Sequence, residues 1–154
     1  MKRAAFLIIS VIGLISLAAC QENKENQSGS AGHDDMETTV LELELDSDYD
    51  DTEPFVNELL FCVSQDIDVL DAEVSIQMEG ASGRMEIKEN KTDEILWSHT
   101  WDKNVDNETS AATLKNLSKR KEYVISFTGT GIDHAVARVT FQSDSVQEKV
   151  RPAT

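Results

Sequence analysis

Two stretches of this 154-residue chain group side chains closely enough to do chemistry. The first is the acidic run Asp46, Asp48, Asp50, Asp51 and Glu53. Hard divalent cations take six to eight oxygen ligands, and closely spaced carboxylates supply them. The central Gly and twelfth-position Glu of a helix–loop–helix calcium loop are not in place. The run is therefore read as a solvated loop after a strand, with calcium binding as the alternative. The second group is Trp97, His99 and Trp101. At alternate positions they share one face of a strand. Facing outward, two indoles around an imidazole would make a stacking surface for a sugar or peptide. Facing inward, they are core. The opposite set, Leu96, Ser98 and Thr100, is the more polar one, which favours the inward reading. A metal at His99 lacks partners, because neither His33 nor His134 has a second ligand at close spacing. There is no Gly-x-Ser-x-Gly, no His-Glu-x-x-His and no phosphate-cradling glycine loop. No catalytic residue, enzyme activity or cofactor is assigned.

The N-terminus carries a sharper signal. Met1-Lys2-Arg3 is basic, and Ala4 to Ala19 then run without a charge. That is the layout of a secretion signal, and the apolar run is short for a membrane span. It ends in Leu17-Ala18-Ala19-Cys20. These four residues resemble the lipobox of bacterial lipoproteins. The resemblance implies removal of residues 1–19 and a thioether-linked diacylglyceryl group on Cys20. It also implies anchorage of the mature chain to the outer face of the cell membrane, or to the periplasmic side where there are two membranes. Each buried methylene adds about 0.8 kcal/mol, and two acyl chains hold where one is marginal. With Cys20 lipidated, Cys62 has no intrachain partner. Among Leu59, Leu60, Phe61 and Val63 it is expected to be a small buried hydrophobe.

Charge narrows the partners. Losing Lys2 and Arg3 with the leader takes the formal charge from −15 to −17. Between Lys24 and Arg84 there is no Lys or Arg, against seventeen Asp and Glu. Such a surface repels nucleic acid and anionic lipid head groups. It suits either plain solubility or a cationic partner.

Residues 20–37 hold the lipidated Cys and a polar stretch with little to bury, so they are expected to be a flexible tether spanning roughly 20–25 Å. From Thr38 the pattern alternates with period two, which marks half-buried strands. Leu41, Leu43 and Leu45 alternate with acids. Residues 73–89 read as a hairpin turned at Gly80-Ala81-Ser82-Gly83. Residues 95–101 are a strand and 102–109 a polar loop. Residues 123–128 and 135–142 are strands joined by a turn at Gly129-Thr130-Gly131. Residues 52–64 fit either a helix opening with Pro54 or a loop leading into a strand at 58–64, and Phe61, Cys62 and Val63 favour the strand. Residues 144–154 are expected to fray.

Seven to eight short strands with turns between them predict an all-β antiparallel sandwich over residues 38–143. In Leu117-Ser118-Lys119-Arg120-Lys121-Glu122-Tyr123, a Leu stands six residues before a Tyr. This resembles the corner of fibronectin type III and related immunoglobulin-like domains, though Lys119 and Arg120 replace that family's usual Pro and Gly. The resemblance spans residues 117–142. It implies an immunoglobulin-like sandwich in which the Tyr hydroxyl closes the corner, and it carries no function. The expected role is a tethered binding module for an envelope protein or extracellular ligand. The alternative is a calcium or small-ligand sensor using the acidic run.

Overall fold

In a computed structural model, the described residues are 37–46 and 54–150. Period-two alternation becomes extended backbone nearly throughout, giving seven antiparallel strands. They are β1 (Thr39–Asp46), β2 (Phe55–Val63), β3 (Ile67–Glu89), β4 (Ile95–Trp101), β5 (Val105–Leu117), β6 (Tyr123–Phe141) and β7 (Val146–Lys149). All belong to one hydrogen-bonded sheet. The immunoglobulin-like expectation has two.

Two long strands organise that sheet. β3 and β6 pair from Ala72↔Phe141 to Glu89↔Tyr123. On its outer edge β3 carries β5 along its first half and β4 along its second. On its outer edge β6 carries β2 along its first half and β1 along its second. β7 extends the sheet beyond β2.

The long pair is bent at its middle. Residues five apart on a straight strand are separated by about 17 Å. Yet a Cβ at Gly83 would lie 2.6 Å from Met78 Sδ and 2.7 Å from Phe127 Cζ. A Cβ at Gly80 would lie 2.8 Å from the Gly131 carbonyl oxygen. Gly131 itself has φ of +56°, in the left-handed region that glycine enters without a steric penalty. These glycines therefore serve a bend and not a chain reversal. The hairpin expected over residues 73–89 and the turn expected at 129–131 are both replaced by strands that continue through the bend.

Phe61 shows how far the sheet closes. Its ring lies 5.3 Å from Tyr123 and 5.2 Å from Phe141. Those two residues are the ends of β6, about 60 Å apart on a straight strand. The sheet has folded until both ends of β6 meet the same side chain. Inside lies one core, with Leu41, Leu43, Val74, Ile76, Met78, Met85, Ile87, Leu114, Ile125, Phe127, Val139 and Phe141 all buried. Each such side chain contributes roughly 1.5–3 kcal/mol by leaving water.

Other expectations change as well. β5 occupies much of the expected polar loop, because its exposed positions are polar and only Val105, Ala112, Leu114 and Leu117 face inward. Val146–Lys149, expected to fray, is β7, held by β2 from Leu60↔Lys149 to Val63↔Val146. The segment after Pro54 is strand, as Phe61, Cys62 and Val63 suggested.

Candidate functional site

β4 positions the aromatic stripe. His99 lies opposite Met85 and Trp97 opposite Ile87, and directly opposed residues share a face. Met85 and Ile87 are fully buried, so the stripe is on the core side. Trp101 is buried, with Gly83 opposite it on β3. Trp97 is partly buried against the core. β4 is an edge strand, however, and the His99 side chain remains 40% exposed. The imidazole lies 4.6 Å from the Trp101 ring and 6.2 Å from the Trp97 ring. Glu108 completes the group: Trp101 Nε1 donates to its Oε1 at 3.0 Å, and His99 Nε2 lies 3.7 Å from the same oxygen. Glu108 sits in the stretch expected to be loop, and nothing in the sequence marked it. The group has one outward ring and one anchored indole, which suits an edge contact better than a two-indole platform.

The acidic run is not brought together by described structure. Asp46 ends β1 opposite His134. Asp48, Asp50 and Asp51 lie outside the described residues. Among the described residues, no three His, Cys, Asp or Glu side chains form a metal-holding group. Cys20 also lies outside them. Cys62 is buried and takes part in a disulfide, which corrects the expectation of a thiol without a partner. The sequence holds one other cysteine, Cys20.

The corner residues behave as their spacing implied. Tyr123 is buried, and its hydroxyl accepts a 2.7 Å hydrogen bond from Ser118 N. Burial pushes the phenol above its ordinary value. Asp66 clamps the same turn, accepting from Lys119 N at 2.8 Å and Ser118 Oγ at 3.0 Å. Those bonds hold its carboxyl below the usual range. Glu89, nearly buried, is likewise lowered by the Lys121 ammonium and by the Thr92 hydroxyl. Glu122 is lowered by the Lys149 ammonium. These are structural clamps between strands and turns.

One open feature was not legible in the sequence. A groove of about 360 Å³ runs between β1 and the β2–β7 pair. Leu43, Leu59 and Leu60 give it an apolar lining, and Val150 stands at its rim. Glu42, Glu44, Glu58 and Glu148 stand around it; Glu42 pairs with Arg138, Glu44 with His134 and Glu58 with Lys88, while Lys149 pairs with Glu122. Two sets of hydrogen bonds span between the walls. Asn57 Nδ2 donates to the Glu44 carbonyl at 2.8 Å, and Thr39 Oγ1 donates to the Ser143 and Val146 carbonyls at 2.8 and 3.2 Å. Among the described residues, β1 pairs with β6 on one edge and with no strand on the other.

Fold and surface together define an all-β antiparallel protein with an acidic groove at one sheet edge. The chain belongs to the family described as domain of unknown function DUF4624, whose model matches residues 18–153. No curated protein matches it.

Proposed function

We propose that this chain is a lipid-anchored extracytoplasmic protein whose folded sheet is a binding module for a protein of the cell envelope. The anchor reading rests on the basic start, the apolar run and the Leu17–Cys20 motif. The observation that carries the binding reading is the groove beside the edge of β1 that, among the described residues, pairs with no other strand. A strand edge with unused backbone donors and acceptors is a standing site for partner association. An immunoglobulin-like relationship has the Leu117–Tyr123 corner in its favour and the single sheet against it. The calcium alternative retains only Asp46 among the described residues and is not favoured by any contact.

The test is cross-linking in cells with the tagged full-length chain, followed by mass spectrometry of captured proteins. One dominant envelope protein, recovered with wild type and lost when Cys20→Ala releases the chain from the membrane, supports the reading. Recovery of no envelope protein, or unchanged membrane association of the Cys20→Ala variant, overturns it.

A further inference from the structure

We propose that the chain entering β1 carries an acid-closed latch. In acid, the carboxyl groups of Glu37 and Asp144 share a proton and hold the segment before β1 against the β6–β7 connection; they part when both are ionised. The inference goes beyond the binding reading above and does not rest on it.

One half of the latch is fixed. Asp144 lies in the connection 142–145, which is tied down from several sides. Ser64 N donates to the Ser145 carbonyl at 2.8 Å, and Gln65 Nε2 donates to the buried Ser145 hydroxyl at 3.0 Å. Ser145 N donates to Ser143 Oγ at 3.0 Å, and Gln142 N to the Asp71 carbonyl at 3.0 Å. The other half is the start of the chain. Thr39 opens the β1–β6 ladder opposite Phe141, and its hydroxyl donates to the Ser143 and Val146 carbonyls. Glu37 stands two residues earlier, exposed and outside the ladder. Its side chain reaches across to hydrogen-bond Asp144.

Chemistry makes that contact conditional. An ionised carboxylate is an acceptor only, so two of them cannot hydrogen-bond. One proton between them makes the bond, and mutual repulsion opposes the second ionisation. The bond to Asp144 and the repulsion from it hold the Glu37 carboxyl above its ordinary 4.5, and burial adds a smaller part. A carboxyl raised in this way favours the closed form in acid, and that contribution is lost as pH rises through the raised value.

Neighbouring charges leave the pair to itself. In the β2–β3 connection, Asp66 accepts from Ser118 and Lys119. On β3, Asp68 is exposed and Asp71 accepts from Thr113 Oγ1 at 2.8 Å. On β6, Arg138 pairs with Glu42, the first charged residue of β1. On β7, Glu148 lies opposite Phe61 and Lys149 pairs with Glu122. Among the described residues none of these acts on Glu37, so no cation offsets the repulsion.

The experiment follows the Glu37 side-chain carboxyl and the backbone order of Glu37 and Thr38 by NMR, in the full-length, isotope-labelled chain held in neutral detergent. In wild type, Glu37 is expected to titrate at a higher pH than in Asp144→Asn. Backbone order at Glu37 and Thr38 should rise as pH falls from about 7 to about 4. In Asp144→Asn the new amide donates to an ionised Glu37, so order there should be high at both ends of that range. Glu37→Gln places the donor on the other side and should behave alike, which gives a second reading should the first variant not fold. The amides of Leu41 and Leu43, inside β1, report the fold and should stay unchanged. Identical titration of Glu37 in wild type and Asp144→Asn overturns the proposal. So does backbone order at Glu37 and Thr38 that is indifferent to pH in wild type.

Discussion

Single residues carry measurable parts of this fold. Replacing Tyr123 by Phe removes one oxygen and leaves the Ser118 N–H without its partner. A half-buried donor left unsatisfied costs about 1–2 kcal/mol, so urea unfolding should show that loss with an unchanged slope. The acid side of the stability curve is set by Asp66, Glu89 and Glu122. Each is held below its ordinary value, 3.8 for Asp66 and 4.5 for the two Glu, by bonds to Lys119, Lys121 and Lys149 respectively. A lowered carboxyl binds protons less readily in the folded chain than in the unfolded one. Its contribution is complete above the ordinary value and disappears as pH falls through that value toward the folded one. Overall charge works the other way, because acid also relieves the repulsion of a chain at −15. Comparison with Lys121→Met separates the two effects. Wild type should be the more stable near pH 6, and its advantage should shrink toward about pH 3. A constant difference would show that the Glu89–Lys121 bond contributes nothing. At this scale the Tyr123 hydroxyl contact was legible only through the resemblance of Leu117–Tyr123 to an immunoglobulin-like corner. Glu108 was not, because only the register of β5 along β3 brings it to Trp101 and His99.

At the scale of elements, the bend in β3 and β6 is the feature with most consequence for substitution. Gly83→Ala sets a methyl group against Met78 and Phe127 inside the core. Overpacking of this kind costs about 1–3 kcal/mol, readable as a lower denaturation midpoint. Were residues 80–83 a solvent-facing reversal, as their composition suggested, the same change would be nearly silent. The distinction could not be read from the chain. A reversal and a sharp bend both need positions without a Cβ, so both leave glycines between alternating segments. The segments themselves were legible, since Val74, Ile76, Met78, Met85 and Ile87 all point inward as the alternation required. β5 escaped notice for a different reason. It is an edge strand whose outer positions are Asp, Asn, Glu and Thr, which read as loop when the partner that hides its few apolar residues is unseen. The groove was illegible for the same physical cause. Its walls come from three separate stretches, 42–44, 57–60 and 148–150, brought together only by closure of the sheet.

For the whole molecule, the proposed anchor and the disulfide at Cys62 make one joint prediction. A thioether on Cys20 removes the only other sulfur in the chain that could bond to Cys62. Intact mass and thiol titration of chain extracted from membranes read both at once. A mass carrying diacylglyceryl together with one titratable thiol supports the anchored form. An unlipidated mass with no titratable thiol would mean that the disulfide prevails and would remove the anchor.

β6 has one more consequence, in the order of events along the nascent chain. It is the shared partner of β1, β2 and β3, and it begins only at Tyr123. Until that strand exists, β1 and β2 lack the partner that pairs them and β3 can pair only with β4 and β5, and loop closure over such separations is slow. A chain cut before Tyr123 should show less sheet signal by circular dichroism than a chain ending at Lys149. Late completion keeps the polypeptide loose while it is being made, which would suit the export that the proposed anchor requires.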